Sequence, residues 1–222
     1  MKKVLNTILK FLKFVWTEMW KFPGYILIHP LKGFEEFKRY KRGKMSVAIA
    51  FVVIACIVNI MKYQYTGFIV NMVNIRDLKS FAQILYVVGA VIVVTIGNWS
   101  VTTLFDGKGN MKYIFMMVCY CLFPYIVCNI LAMILSNVLT FDEKAVYQLV
   151  VSIGVFLMIY QFFFGIISIH EYGLGQCLLT ILFTLVAALI ILFVGILVFD
   201  LFQKIYGFLY QIYQEITMRT LL

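Results

Sequence analysis

Charged residues are scarce in this chain of 222 residues, and their scarcity excludes a soluble globular domain. Asp, Glu, Lys and Arg together make up 13% of the residues, whereas soluble domains carry about 25%. Hydrophobic residues reach 64%, and the mean hydropathy is +0.97. A single membrane domain without a separate soluble unit is therefore expected.

Motifs that carry chemistry are also missing. His170-Glu171 is the only His-Glu pair, and no second histidine follows it at the spacing of a His-Glu-x-x-His zinc motif. Gly-x-Ser-x-Gly is absent, and Gly107-Lys108-Gly109 lacks both the spacing and the Ser/Thr of a Walker phosphate loop. These absences favour a protein that is not an enzyme and that uses no cofactor and no metal.

The cysteines show no spacing of a metal site or a redox motif. All five lie inside or at the edge of apolar runs, and no two form Cys-x-x-Cys: they are Cys56, Cys119, Cys121, Cys128 and Cys177. We therefore expect thiols that pack as small hydrophobic side chains rather than ligands or a disulfide framework.

Asp, Glu, Lys and Arg are absent from the middle of every apolar run, which argues against an ion-coupled pump, because such pumps need an intramembrane ionisable relay. Amides do occur there, at Asn98, Asn129 and Gln161. Hydrogen bonds between helices are their expected role, and a polar substrate path is the alternative.

Five apolar runs dominate what is present. They cover residues 45–61, 80–105, 113–141, 145–169 and 172–199. Because a helix needs about 20 apolar residues to cross a bilayer, each run predicts one transmembrane span. The sequence thus predicts an all-α, polytopic membrane protein with a five-span helical bundle over residues 45–199. Pro124 lies well inside the third run, where a proline removes a backbone hydrogen bond and usually kinks the helix.

Both ends of the chain are amphipathic. Residues 1–22 place lysines on one helical face and aliphatic residues on the other, with Trp16 and Trp20 as interfacial anchors. Pro23-Gly24 is expected to end that helix, and a second short helix is expected from Pro30, completing an N-terminal interfacial region, 1–44. Residues 200–222 are too polar to span, so they predict a helix that lies on the membrane surface or continues span five.

Basic residues are concentrated in front of the first span, which predicts the orientation. Eleven of the nineteen Lys and Arg residues precede Met45. By the positive-inside rule the N-terminus is cytoplasmic, and five crossings place the C-terminus outside a plasma (inner) membrane. The run next to span one contains Lys38, Arg39, Lys41, Arg42 and Lys44. It is interpreted as a topology signal facing membrane lipids, with a dedicated lipid or protein site as the alternative; nucleic acid is not expected as a partner.

Two polar turns are expected on the same cytoplasmic side. The first contains Gly107, Lys108 and Gly109, whose glycines allow a tight reversal, and the second contains His170-Glu171. A tight turn with an exposed lysine is the favoured interpretation of Gly107-Lys108-Gly109, and an anion held by backbone N–H groups is the alternative.

The sequence from Leu104 to Pro124 resembles the Yip family, the Ypt-interacting membrane proteins, and specifically its bacterial branch. The family has a Gly-Gly-Lys-Gly loop and a Tyr-x-x-x-Pro pattern in the following span. Here the loop is Asp106-Gly107-Lys108-Gly109, with Asp106 in place of the first glycine, and Tyr120 and Pro124 supply the second pattern. Pro30 with Phe34, and the turn from Ile167 to Leu174, are also similar to the family, so the resemblance covers roughly residues 28–199.

The resemblance implies a five-span bundle with a cytoplasmic N-terminus. Eukaryotic members bind Rab-type GTPases in vesicle traffic, and a bacterial member has neither those partners nor that traffic. What carries over is a non-catalytic adaptor or scaffold that presents a cytoplasmic face to other integral membrane proteins. An accessory subunit of a larger complex, such as a carbohydrate ABC transporter, is one form of this hypothesis. The alternative is a transporter or channel that uses the polar residues of the spans.

Overall fold

The computed structural model describes Lys13, residues 15–71 and residues 79–220. The α-helices in these ranges are numbered in chain order. The helices are α1 (Phe22–Ile28), α2 (Pro30–Arg39), α3 (Met45–Tyr65), α4 (Ser80–Leu104), α5 (Met111–Ser136), α6 (Lys144–His170) and α7 (Leu174–Thr220). No strand occurs in the described residues. The five helices α3 to α7 are long and apolar enough to cross a membrane. The predicted all-α fold with five spans is confirmed.

The chain enters the bundle through a π-helical segment, Val15–Lys21, that runs directly into α1. The prediction that Pro23-Gly24 ends a helix is wrong, because α1 starts at Phe22 and holds Pro23 in its first turn. A proline is tolerated there, since the first N–H groups of a helix have no intrahelical acceptor. The bend falls instead at His29 (φ −126°, ψ 69°), where the following proline disfavours helical geometry. Most of the predicted amphipathic helix, residues 1–12 and 14, lies outside the described residues.

Polar residues define the end of the third span earlier than predicted. Helix α5 stops at Ser136 rather than near residue 141. The Asn137 side-chain amide donates to the Met133 carbonyl (2.8 Å) and to the Tyr65 carbonyl (3.1 Å), which satisfies carbonyls that two helix ends leave unpaired. A capping box between Thr140 and Glu143 then begins the short 3-10 turn that leads into α6. Helix α5 passes through Pro124 without interruption.

The fifth span does not end at the predicted boundary near residue 200. Helix α7 is one helix of 47 residues, so the alternative in which the C-terminal stretch continues span five agrees with the structure. At a rise of about 1.5 Å per residue the helix is about 70 Å long, more than twice the hydrocarbon thickness of a bilayer. An ion pair one turn apart, Lys204 to Asp200 at 2.8 Å, supports the helix beyond the predicted boundary.

Helix α5 forms the centre of the bundle and packs against α3, α4 and α6. Two glycines of α6 permit the close approach to α5. A Cβ atom at Gly154 would lie 2.6 Å from the Cys128 Cβ, and one at Gly165 would lie 2.4 Å from the Met117 sulfur. Helix α7 is the least buried span and packs mainly on α4, with Thr184 and Ala188 next to Gly97.

Candidate functional site

Three segments that are distant in sequence meet at one end of the bundle, around the carboxylate of Glu171. One carboxylate oxygen accepts from the Lys38 ammonium of α2 at 3.0 Å, and the other accepts from the Lys108 ammonium at 2.8 Å. Lys38 also donates to the Ile169 carbonyl at 2.9 Å, in the last turn of α6. We call Lys38, Lys108 and Glu171 the Glu171 cluster. It connects α2, the α4–α5 loop and the α6–α7 turn.

The backbone of α6 positions this carboxylate. Glu171 follows the last residue of α6 in the left-handed conformation (φ 59°), and its N–H donates to the Ile167 carbonyl, as in a common helix C-cap. A cation beside these last carbonyls, here Lys38, is also favoured by the helix dipole.

The two lysines lower the pKa of Glu171. Hydrogen bonds from Lys108 and Lys38, together with the positive charges of both groups, hold the pKa of the Glu171 carboxyl at about 2. The carboxylate is therefore charged at any physiological pH. Its side chain is half exposed, so the solvent screens the attraction, and the cluster orients three segments more than it stabilises the fold.

The Gly107-Lys108-Gly109 turn lies directly against the α6–α7 turn. A Cβ atom at Gly107 would lie 2.5 Å from the Tyr172 hydroxyl, and one at Gly109 would lie 2.6 Å from the His170 ring. Asp106, which precedes them, has a φ of 53°, the left-handed region that glycine adopts most easily. The N–H of Gly107 donates to the Thr102 carbonyl at 2.8 Å, and Lys108 is paired with Glu171. The turn therefore holds its lysine in an ion pair, and the Gly107 N–H is not available for an anion.

His170 is a structural residue of this site and not an exposed ligand. Its side chain is 1% exposed and stacks on Tyr172 with 5.2 Å between ring centroids. The Asn98 amide donates to the Thr184 hydroxyl (3.2 Å), so its oxygen accepts from the His170 Nε2–H (3.3 Å). This chain of contacts connects α7, α4 and α6. Within the described residues, no group of three or more His, Cys, Asp or Glu side chains could hold a metal ion.

Most of the predicted basic run is paired with carboxylates. Besides the pair of Lys38 with Glu171, the structure contains three pairs: Arg39 with Glu35 (2.9 Å), Arg42 with Glu36 (2.6 Å) and Lys44 with Glu18 (2.8 Å). Lys41 is exposed and has a φ of 51°. Of the acidic partners, only Glu171 was singled out as a site residue from the sequence, in the His170-Glu171 turn. Glu35 could have been found from its spacing of four residues to Arg39, whereas Glu18 and Glu171 are joined to their lysines only by the tertiary fold.

Tyr120 lies beneath the basic residues and packs the short helices α1 and α2 against the spans. It is 1% exposed, and its hydroxyl accepts from the Lys44 backbone N–H at 3.2 Å. Its ring contacts Phe22, Phe37 and Phe51 edge to face, with centroid distances of 6.2, 4.9 and 5.4 Å. Because these rings come from α1, α2 and α3, Tyr120 on α5 joins four helices. Pro124, one turn further along α5, is buried and does not reach the surface.

The three predicted intramembrane amides do not meet in one place. Asn98 makes contacts between helices, as described above, whereas Asn129 donates to the Tyr125 carbonyl of its own helix at 2.7 Å. The Gln161 amide is 1% exposed, and neither its nitrogen nor its oxygen has a hydrogen-bond partner among the described residues. Gln161 lies nine residues before His170 on α6, which is about 13 Å from the level of Asn98.

Comparison with known proteins gives one informative match. A family model, the Yip1 domain, matches residues 24–196, more than three quarters of the chain. No curated protein and no solved structure matches the chain. The matched range contains Tyr120, Pro124 and the whole Glu171 cluster, so the surface described above lies within the family's domain. The chain belongs to the Yip1 domain family.

Proposed function

We propose that this protein is a non-catalytic integral membrane adaptor that holds other membrane proteins at the end of the bundle formed around Glu171. The observation that carries the proposal is the Glu171 cluster, which assembles one surface from α2, the α4–α5 loop and the α6–α7 turn. A surface built from three segments has a fixed shape, and a fixed shape suits recognition of a partner.

The exposed apolar surface of α7 supports the same role within the bilayer. Helix α7 packs mainly on α4, and large apolar side chains remain exposed along its outer half, among them Phe193, Phe199 and Tyr206. Membrane lipids cover such a face, and so can a helix of another integral membrane protein. In this proposal the partner contacts α7 within the bilayer and the Glu171 cluster at its surface.

The proposed location is the plasma (inner) membrane, with the Glu171 cluster and the N-terminus in the cytoplasm and the C-terminus outside. The excess of lysine and arginine before Met45 supports this orientation. An accessory subunit of a carbohydrate ABC transporter is one concrete form of the adaptor. In that case the transporter's permease subunits are the expected partners.

Photo-cross-linking in intact cells tests the adaptor role. A photo-reactive amino acid at Lys41, an exposed residue at the same end that is not a member of the cluster, keeps both ion pairs, whereas one at Phe141 lies at the opposite end of the bundle and is the matched control. We expect a defined membrane protein to be cross-linked from Lys41 and not from Phe141, and Glu171→Gln to reduce its yield. Repeated recovery of the chain alone, by cross-linking and by mild-detergent purification with mass spectrometry, would contradict the proposal.

One observation favours the transport alternative. The Gln161 amide and the Asn129 side-chain oxygen are buried without hydrogen-bond partners among the described residues, which is costly inside a membrane unless a polar group reaches them. If they contact a substrate, Gln161→Leu and Asn129→Leu abolish uptake and leave the thermal stability unchanged or higher. A loss of stability without a loss of uptake would exclude this role.

A further inference from the structure

A polar cavity of about 660 Å³ lies at the end of the bundle opposite the Glu171 cluster. Four spans contribute to its wall. Among the lining residues are Asn59, Lys62 and Tyr63 of α3, Gln83 of α4, Tyr125 of α5 and Tyr147 of α6. We call it the Lys62 pocket. Its volume is within the range of about 300–1,000 Å³ that small-molecule sites occupy.

Among the described residues, the wall of the Lys62 pocket carries a positive charge. Lys62 is the only ionisable residue of either sign, apart from tyrosines, among the described residues that line it. Its ammonium lies 5.7 Å from the centre of the Tyr125 ring, and no carboxylate of the described residues forms an ion pair with it. A half-buried cation in this setting favours an anionic ligand.

Several side chains on the wall carry hydrogen-bond donors. Gln83 donates to the Tyr63 hydroxyl at 2.7 Å, and the Tyr125 hydroxyl donates to the Asn59 oxygen at 2.9 Å. Within the part of the chain that the structure describes, donors remain that these two bonds do not use: the hydroxyl proton of Tyr63, one amide proton of Gln83 and the amide protons of Asn59. The hydroxyl of Thr66, on the same wall, is buried without a partner among the described residues.

The level of Lys62 in the bilayer and the numbers of charges and donors on the wall restrict the class of ligand further. Lys62 lies three residues before the end of α3, where the headgroups of a bilayer begin. A neutral sugar would bring no counter-charge for Lys62, and a carboxylate has only two oxygens for donors that come from α3 and α4. A phosphate group with one negative charge matches a single lysine and offers several acceptor oxygens.

We propose that the Lys62 pocket binds a phosphate-bearing ligand with one net negative charge, whose phosphate contacts Lys62 and the free donors of Tyr63 and Gln83. Such a phosphate is present in a phospholipid headgroup and in a small soluble phosphodiester. This inference is independent of the adaptor role, because it concerns the other end of the bundle.

Binding to the purified full-length protein in detergent tests the proposal. The probes are a short-chain phosphatidylglycerol, the soluble phosphodiester glycerophosphoglycerol, and a short-chain diacylglycerol without phosphate. We expect one or both phosphate probes to raise the melting temperature in a saturable manner and the diacylglycerol to have no effect. Binding of the lipid alone identifies a headgroup as the source, and binding of both probes identifies the phosphodiester itself as sufficient.

Variants distinguish a Lys62 that binds phosphate from a Lys62 that only flanks a span. Lys62→Gln should weaken binding by at least about tenfold, because a charge-assisted hydrogen bond is worth about 1.5–3 kcal/mol. Lys62→Arg, which keeps the charge, should retain most of the affinity, and Tyr63→Phe should lose several-fold. The control is Lys79→Gln, an exposed lysine at the same end of the bundle that does not line the pocket. Equal affinity of Lys62→Gln and Lys79→Gln, or no saturable effect of either phosphate probe on the wild type, would overturn the proposal.

Discussion

Each of the two carboxylate oxygens of Glu171 accepts from one lysine. The effect of a substitution at the cluster therefore depends on which of its three residues is changed. Lys38 holds the carboxylate against the last turn of α6, and Lys108 holds the α4–α5 loop against the same group. Removal of Glu171 leaves two lysines facing each other without a counter-charge. Removal of either lysine still leaves one pair.

The first prediction concerns pH. The folded protein lowers the pKa of Glu171 from 4.5 to about 2, so the carboxylate contributes stability that is fully present above the unfolded value. This contribution is lost as the pH falls from about 5 towards 2. The melting temperature of the wild type should therefore fall more steeply over this range than that of Glu171→Gln, as measured in detergent by circular dichroism.

A double variant provides the control for this measurement. In Lys38→Gln with Lys108→Gln, the carboxylate remains but the two groups that lower its pKa are gone. Its pH profile should resemble that of Glu171→Gln. Parallel profiles for all three proteins would show that the cluster does not couple pH to stability.

The second prediction concerns the glycine turn. Gly107→Ala should reduce the free energy of unfolding by about 1–3 kcal/mol, because the new methyl group would lie 2.5 Å from the Tyr172 hydroxyl. Gly173→Ala in the facing turn is the matched control, since nothing lies within 4 Å of its Cβ position. Thermal unfolding in the same detergent compares the two variants, and an equal loss of stability would contradict the described packing.

Many residues of this site could be predicted from the sequence, but the contacts between its segments could not. The turn at Gly107-Lys108-Gly109 and the His170-Glu171 turn were both predicted for one side of the membrane from the order of charges and spans. The order of charged residues along the chain does not give the distances between segments, however. The pair between Lys108 and Glu171 could therefore not be derived from it. The sequence pattern also predicted a basic run that faces membrane lipids; Arg42 and Lys44 are exposed, but their pairs with Glu36 and Glu18 form only in the fold.

At the scale of the element, the α5–α6 interface determines the centre of the bundle. The close approach occurs where Gly154 faces Cys128 and where Gly165 faces Met117. Methionine can move aside because its chain is flexible, whereas a Cβ atom fixed to a neighbouring backbone cannot. The two glycines therefore differ in how strictly they are required.

The third prediction follows from that difference. Gly154→Ala should destabilise the protein by about 1–3 kcal/mol, because its methyl group would lie 2.6 Å from the Cys128 Cβ. Gly165→Ala should cost less, and Gly89→Ala on α4, with open space around its Cβ position, should unfold at the wild-type temperature or slightly above. Thermal unfolding measures this order, and a larger loss at Gly89 than at Gly154 would contradict it.

The end of α5 was predicted too late, although a polar residue makes its cap, and α7 continues beyond its apolar run. The end of α5 is determined by Asn137, whose role depends on Tyr65 of another helix and is not visible in the local pattern. Helix α7 passes the predicted boundary at residue 200 because Asp200 pairs with Lys204 on the same helix instead of ending it. Hydropathy therefore located the spans, and side-chain hydrogen bonds determined their limits.

At the scale of the whole molecule, the two proposed binding regions lie at opposite ends of the bundle. The Glu171 cluster lies at the end where α3 begins, and the Lys62 pocket lies at the end where α3 stops. A partner bound at the first and a phosphate bound at the second would thus be on opposite sides of the membrane. Tyr120, which joins α5 to α1, α2 and α3, belongs to the first end.

The fourth prediction concerns the threading of the chain through the membrane. Single cysteines at Lys41 and Lys108 lie at the Glu171 end, and one at Phe141 lies at the opposite end. In intact cells a membrane-impermeant maleimide should label Phe141→Cys but neither Lys41→Cys nor Lys108→Cys, and a permeant maleimide should label all three. The wild type is the background control, because its native cysteines are buried or, at Cys128, half-buried. The reverse labelling pattern would overturn only the proposed orientation, whereas labelling of Lys108→Cys and Phe141→Cys from the same side would overturn the five-span topology itself.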